Sequence, residues 1–170
     1  MPHKGAEEEH PQNHLIILIS LFSFVIVMIL DLTWFKLTDF LVEYVAFWMR
    51  FLLFIIFFGF GIFLLRESDK IVFDDEKSKN VVREGVYGII RHPMYAGMYF
   101  IFLGFIFLTL SLISLLPCII SFIIMDKIST RYEEGKLIKK YGKDYIKYRR
   151  EVGKWFPKNE EKKFNKKILN

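Results

Sequence analysis

The apolar residues of the chain fall into three long blocks, and most of the charged residues lie between them. Residues 15–35 are apolar up to Asp31, residues 44–65 are apolar apart from Arg50, and residues 94–125 form a third run of about 32 residues without a charge. Stretches near or above ~18 apolar residues have the length of membrane-crossing helices. The third block is too long for one untilted crossing of ~20 residues. Its interruption at Thr109 to Ser114, followed by Pro117, predicts a tight helical hairpin with helices at about 93–110 and 113–140, the second leaving the membrane near Asp126. The pattern thus predicts an all-α integral membrane protein with about four transmembrane helices, the last two a hairpin, and a cytosolic C-terminal helical extension. The divisions read as a polar N-terminal tail at 1–14, a membrane domain at 15–157 and a charged tail at 158–170.

Composition narrows the class further. Hydrophobic residues make up 53% of the 170 and include 19 Phe, yet 25% of the chain is charged. Apolar and charged residues would not separate into such blocks in a soluble fold. The single cysteine, Cys118, can form no internal disulfide and reads as a small packed residue. The net charge of +5 could suggest nucleic acid, but the basic residues flank the spans, so the positive-inside rule accounts for them and no nucleic acid is expected. Residues 1–14 carry an acidic run at Glu7, Glu8 and Glu9, unlike the basic start of a signal peptide. His10 and His14 lie four apart but lack further ligands, so no metal site is expected.

The connections carry the polar groups. Asp31, near the end of the first span, is expected at the interface. A short link at Lys36 to Asp39 leads to the second span, in which Arg50 lies one to two turns inside. Two readings of Arg50 stand: a pair with Glu43, seven residues earlier on the same face, or snorkelling to the nearby surface, which the short reach favours. Arg66 to Arg91 reads as a mixed-charge loop longer than a compact connection needs, with Val81-Val82 and Tyr87 to Ile90 apolar enough to pack. After Gly142, residues Tyr141, Tyr145, Tyr148 and Val152 fall on one face of a short amphipathic helix. Trp155-Phe156-Pro157 reads as an interfacial anchor. Lys and Arg concentrate in the long loop and the C-terminal region, which places both of these, and both termini, in the cytoplasm of a multi-pass cell-membrane protein.

The stretch from Arg83 to Gly97 passes from charged loop into apolar helix. Pro93 suits the first helical position, and His92 before it is biased away from helix. The new helix offers unpaired N–H groups and a positive dipole end, flanked by Arg91 and His92, as a site for an anion such as a carboxylate. Gly97 and Gly104, seven apart, share a face and permit close helix contact. On the same membrane side lie Tyr87, Tyr95 and the pair Glu133-Glu134. These groups suit a zwitterionic ligand with an ammonium, a carboxylate, a ribose diol and a flat base. The plainer readings are a solvated helix face for the glutamates and an N-cap hydrogen bond for His92. Taken alone, the residues predict a cytosolic-face polar site.

The ordered motifs Val82-x-x-Gly85-x-Tyr87, Arg91-His92-Pro93-x-Tyr95-x-Gly97, Glu133-Glu134-x-x-Leu137 and Tyr141-Gly142-x-x-Tyr145-x-x-Tyr148 cover about residues 79–157. In them the chain resembles the isoprenylcysteine carboxyl methyltransferases, and it shares the arginine–histidine–proline and double-glutamate parts with the phospholipid N-methyltransferases. Position by position, the resemblance implies S-adenosylmethionine contacts from Lys79, Asn80, Val81, Val82, Tyr87, His92, Pro93, Met94, Tyr95 and Glu133. Glu134, about 100° round a helix from Glu133, is expected to matter less if Glu133 alone reaches the cofactor. Eukaryotic prenylcysteine enzymes have an arginine implicated in substrate binding four residues before the first glutamate. Here that position is Ser129, the resemblance's candidate for acceptor binding.

The resemblance implies methyl transfer to a lipophilic carboxylate or amine at the cytosolic face. Such a step asks for proximity, orientation and exclusion of water. A carboxylate nucleophile is already ionised at pH 7, whereas an amine must first lose a proton. No catalytic residue is singled out. Two other readings compete: a sterol-reductase-like enzyme using NADPH on a related membrane core, and a non-catalytic membrane interaction protein.

Overall fold

The computed structural model describes residues 13–38, 40–75 and 80–158. Helix α1 (Asn13–Leu30) continues as a π-helical turn at Asp31–Phe35. The turn closes on Lys36, whose φ is +49° and whose N–H donates to Asp31 O at 2.7 Å. Asp31 organises the reversal, accepting from Leu37 N at 3.0 Å and Thr38 Oγ1 at 3.1 Å. It also accepts from Ser111 Oγ at 2.6 Å and is only 2% exposed. Asp31 stands at the end of the first candidate span, and a hydroxyl 80 residues further on supplies the partner that lets its carboxylate be buried.

A short helix α2 (Phe40–Tyr44) stands between the first two long helices, and α3 (Phe47–Asp75) runs ten residues beyond the Leu65 limit of the apolar block. The long loop expected from Arg66 is corrected accordingly. Apolar composition stops at Leu65, but the helical hydrogen-bond ladder does not need it. Ser68, fully buried, donates to Leu64 O at 2.6 Å, and Ile71 packs on the cluster of Leu64, Val86, Ile90 and Ala96. A single 3₁₀ turn (Gly85–Gly88) then leads to α4 (Pro93–Thr109). His92 holds φ −125° and ψ 60°, the non-helical conformation expected before proline, with Pro93 at the first turn.

Helices α3 and α4 touch backbone to backbone. A Cβ on Gly97 would lie 2.8 Å from Gly61 O, and one on Gly61 would lie 2.6 Å from Gly97 O. At Gly104 the nearest atom is Phe58 N, 3.2 Å from an added Cβ. The expected close contact along the Gly97 and Gly104 face is present, and phenylalanines fill its flanks: Phe54 meets Phe105 at 5.3 Å and Phe57 meets Phe107 at 4.8 Å between ring centroids.

Leu110 ends α4 in the left-handed region, φ +55°, and a 3₁₀ turn (Leu112–Ser114) starts the next helical stretch. That stretch comprises α5 (Leu115–Ile124), a π-helical turn (Met125–Ser129) and α6 (Thr130–Tyr141). Gly142, at φ +56°, breaks it before α7 (Lys143–Glu151). Phe24 of α1 stacks on Phe102 of α4 at 4.5 Å, and Tyr99 meets Phe122 of α5 edge-on at 5.2 Å; with Ile106, Cys118 and Met125 they form the main core.

Three helical stretches are long and apolar enough to cross a membrane: His14–Phe35, Phe47–Ile71 and Leu112–Tyr141. Pro93–Thr109 is apolar but shorter. Among the described residues there is no strand, only an isolated parallel bridge between Ile90 and Gly153. The chain is an all-helical protein with the character of a multi-pass membrane protein. His10, the acidic run and the tail beyond Lys158 lie outside the described residues.

Candidate functional site

Pro93 fixes where α4 starts, and Arg91 and His92 just before it are presented to α6. Glu134 lies at their meeting point. Its Oε1 accepts from Arg91 Nε at 3.0 Å and from His92 Nε2 at 3.3 Å, while Oε2 lies 3.8 Å from Arg149 Nη1. On the other side of the imidazole, His92 Nδ1 lies 3.6 Å from Glu133 Oε2. Tyr95, one helical turn further along α4, donates its hydroxyl to Glu133 Oε1 in a short hydrogen bond. The result is one cluster, His92 between two glutamates with Tyr95 closing the far side. Burial holds the His92 pKa below its ordinary value, against the opposing pull of its Glu134 hydrogen bond. The neutral ring donates from Nε2 to Glu134.

The C-terminal segment completes the walls. Arg91 N donates to Gly153 O at 2.9 Å, and Arg91 Nη1 donates to Arg149 O and Val152 O, each at 2.8 Å. Arg83 grips the same region through Glu151 at 2.9 Å and Asp144 O at 3.0 Å. Past Gly153 the chain brings Trp155 over His92, ring centroids 5.7 Å apart, and onto Phe122 at 4.9 Å. Its indole N–H donates to Asp126 Oδ1 at 2.9 Å, the oxygen that also takes Lys154.

Three expectations change here. Trp155 packs half-buried against the cluster, so of the Trp155-Phe156-Pro157 run it is Phe156, 81% exposed, whose ring is left open. Arg91 does not stand ready for an incoming anion, because Glu134 and two carbonyls already engage its guanidinium. His92 makes no N-cap bond either.

The sequence-predicted residues fall into separate places. His92, Tyr95 and Glu133 come together, with Pro93 buried beneath and Met94 half-buried beside it. Tyr87 packs on the α3 side with Leu64 and Ile71, and its carbonyl accepts from Tyr148 Oη at 2.7 Å. Its ring therefore belongs to a different cluster from that of Tyr95. Val81 joins Tyr145, Tyr148 and Val152. This cluster includes Tyr141 and so shows the amphipathic face read from the sequence; burial raises the pKa of both Tyr145 and Tyr148. Asn80 is exposed and Val82 half-buried. Lys79 lies outside the described residues. Ser129 is fully buried and its Oγ has no hydrogen-bond partner.

Arg149, Asp126, Lys154 and Trp155 were not predicted for the site, and Glu134 was placed there only as the lesser half of the double glutamate. Of these, only Glu134 carried a sequence signal. Lys154 and Trp155 reach Asp126 across more than 25 residues, a pairing no local pattern displays.

The fold and the cluster define a helical membrane protein with a buried polar knot at one end of its main helix pair. The family model described as phospholipid methyltransferase matches residues 52–144, more than half of the chain, and includes His92, Tyr95, Glu133 and Glu134. The chain belongs to this family, which also takes in the isoprenylcysteine carboxyl methyltransferases, and its class is that of a membrane methyltransferase. No curated protein and no solved structure matches it.

Among the described residues no group of three or more His, Cys, Asp and Glu could hold a metal ion. The donor set instead fits S-adenosylmethionine. A carboxylate and a tyrosine hydroxyl suit its ammonium or ribose hydroxyls. The rings of His92, Tyr95 and Trp155 suit a flat base or a cationic sulfonium.

Proposed function

We propose that the protein is an S-adenosylmethionine-dependent methyltransferase acting on a lipophilic amine at the cytosolic membrane face. The observation that carries this reading is the Glu133 carboxylate, held by Tyr95 and facing His92 Nδ1 at 3.6 Å. The neighbouring cations Arg91 and Arg149 face Glu134, and Lys154 is held by Asp126. A carboxylate acceptor would have to sit beside the Glu133 carboxylate as a like charge, which is unfavourable. An amine acceptor would be drawn to the same group, and Glu133 or neutral His92 could take its proton before transfer.

Bound here, the cofactor would supply an electrophilic methyl group. Glu133 and Tyr95 would hold its polar parts, with His92, Pro93 and Met94 forming the floor. Asn80 to Val82 and Tyr87, with Lys79, would approach from the preceding segment. Ser129, one turn before Glu133 on the membrane side, would face the acceptor. Trp155 would exclude water. Orientation and dryness are the main demands of such a transfer.

In this reading Pro93–Thr109 is a fourth crossing, at the short end of the ~17–25 residue range. It pairs with α5 as a hairpin, and α7 lies on the cytosolic surface. Cysteines at Ser78 and Asn159, in a Cys118→Ser background, should both resist an impermeant thiol reagent in intact cells. Labelling of either one would break the shared-side geometry.

Calorimetry tests the cofactor. The purified protein should bind S-adenosylmethionine, and Glu133→Gln should weaken binding about tenfold to a hundredfold, the value of a charged hydrogen bond. Equal affinity in the two proteins would remove Glu133 from the site, and binding of NADPH in place of S-adenosylmethionine would favour a reductase.

A further inference from the structure

Arg50 is a cation without a counter-charge among the described residues, at the end of the bundle remote from the methyl-transfer cluster. The close pairings Gly61–Gly97 and Phe54–Gly104 run in opposite directions along α3 and α4, which brings Arg50 level with the far end of α4 near Thr109. Its guanidinium carbon lies 5.6 Å from the Phe47 ring centroid, and its Nε is buried with no hydrogen-bond partner. Glu43, the partner suggested by sequence, does not reach it: no ion pair joins the two. The nearby carboxylate on this end, Asp31, is already filled by Leu37, Thr38 and Ser111. The helix ends and connections flanking α3 on its Arg50 side are aromatic and open: Trp34 before α2 and Tyr44 at its end are each 81% exposed, and Trp48 of α3 77%. Large amphipathic rings of this kind collect at headgroup level.

We infer that Arg50 is a binding site for the phosphodiester of a membrane phospholipid, in the leaflet opposite the methyl-transfer cluster. The argument is one of charge and depth. Arg50 is the fourth residue of α3, about 4.5 Å from its start, a depth at which a long side chain reaches the headgroup layer. A planar guanidinium matches phosphate oxygens bidentately, and its cationic face can keep the Phe47 ring while its edge takes the anion. A phosphodiester supplies what the protein does not: an acceptor for the orphaned Nε and a negative charge for the guanidinium. The acyl chains of the same lipid would lie along the exposed apolar face of Phe51, Leu52 and Ile55. The site depends on the chain crossing a membrane, and is independent of the methyl-transfer reaction.

Native mass spectrometry of the full chain in detergent tests this, with added dioleoylphosphatidylcholine, dioleoylglycerol or inorganic phosphate. The zwitterionic lipid avoids general attraction to the basic cytosolic face. Wild type should retain a phosphatidylcholine adduct that Arg50→Gln loses at least tenfold. Dioleoylglycerol, which has the chains but no phosphate, should not be retained. Arg50→Lys, which keeps charge but loses the fork, should fall between and covers the case in which Arg50→Gln does not fold. S-adenosylmethionine affinity should be the same in all three proteins, so failure here is separable from failure of the methyltransferase reading. Equal lipid retention by wild type and Arg50→Gln, or equal retention of dioleoylglycerol, overturns the proposal. Displacement of the lipid by millimolar inorganic phosphate would make this a free-anion site and would overturn the lipid assignment.

Discussion

His92 Nε2 and Glu134 Oε1, 3.3 Å apart, join the start of α4 to α6, and this contact decides which glutamate holds the fold. Glu134 bonds Arg91 and His92 together, whereas Glu133 faces Tyr95 and the Nδ1 side of His92. The sequence expectation that Glu134 would matter less holds at most for cofactor contact; structurally Glu134 is the hub.

Glu134→Gln should therefore destabilise the protein by about 3 kcal/mol or more, because Arg91 is left without its buried counter-charge. Glu133→Gln should cost much less stability while losing cofactor affinity. Thermal melts of both variants in one detergent separate the roles, and equal melting temperatures would refute the division.

His92 gives a pH dependence with a definite sign. Burial lowers its folded pKa below the unfolded value of 6.5, so the unfolded chain takes up a proton first on acidification. The contribution to stability is complete above pH 6.5 and is lost as pH falls from there toward the folded pKa. Wild type should melt progressively lower between pH 6.5 and pH 5, and His92→Gln should show a shallower fall. A melting temperature that rose on acidification would mean that the ring is protonated between its two glutamates.

Much of the scaffold was legible because its causes are local. Apolar runs mark the spans, Pro93 marks the start of α4, Gly97 marks the close approach and Gly142 marks a break. The features missed have distant causes. The burial of Asp31 was not visible because its partner Ser111 is far along the chain, and α3 looked shorter because hydropathy records lipid contact, not helical bonding. Arg91 and His92 do meet the double glutamate, but Arg91 was given to a ligand when its partners lie on α6 and at the end of α7. Trp155 was read from its flanking Phe and Pro, and nothing local shows that it folds back onto His92.

The Asp31 latch makes a separate prediction at the other end of the bundle. Its carboxylate ties the end of α1 to the turn before α5, and Ser111 hands on to Ser114 at 2.8 Å. Asp31→Ala removes three hydrogen bonds to a charged acceptor, one of them from the buried Ser111, and should cost about 2–3 kcal/mol. Ser111→Ala removes one of the three bonds and should cost about 1 kcal/mol. Asp31→Ala combined with Ser111→Ala should cost less than the sum, because both changes break the same bond. Strict additivity in thermal or denaturant unfolding would show that the contact contributes nothing.

The closest helix contact gives the last prediction. Gly97→Ala would place a methyl group 2.8 Å from Gly61 O, a backbone atom that cannot rotate away, and 3.1 Å from Leu65 Cγ. Helices α3 and α4 must separate, at about 1–3 kcal/mol for overpacking. Gly97 lies one turn from Pro93, so the same shift moves His92 and Tyr95 relative to Glu133, and cofactor affinity should fall together with stability. Gly59 lies on the same helix as Gly61 but has nothing within 4 Å of an added Cβ. Gly59→Ala should be neutral or stabilising by up to about 1 kcal/mol, since alanine is the better helix former. The pair can be compared by melting temperature and by S-adenosylmethionine calorimetry. If Gly97→Ala were as harmless as Gly59→Ala in both, the α3–α4 contact would not be what positions the cluster.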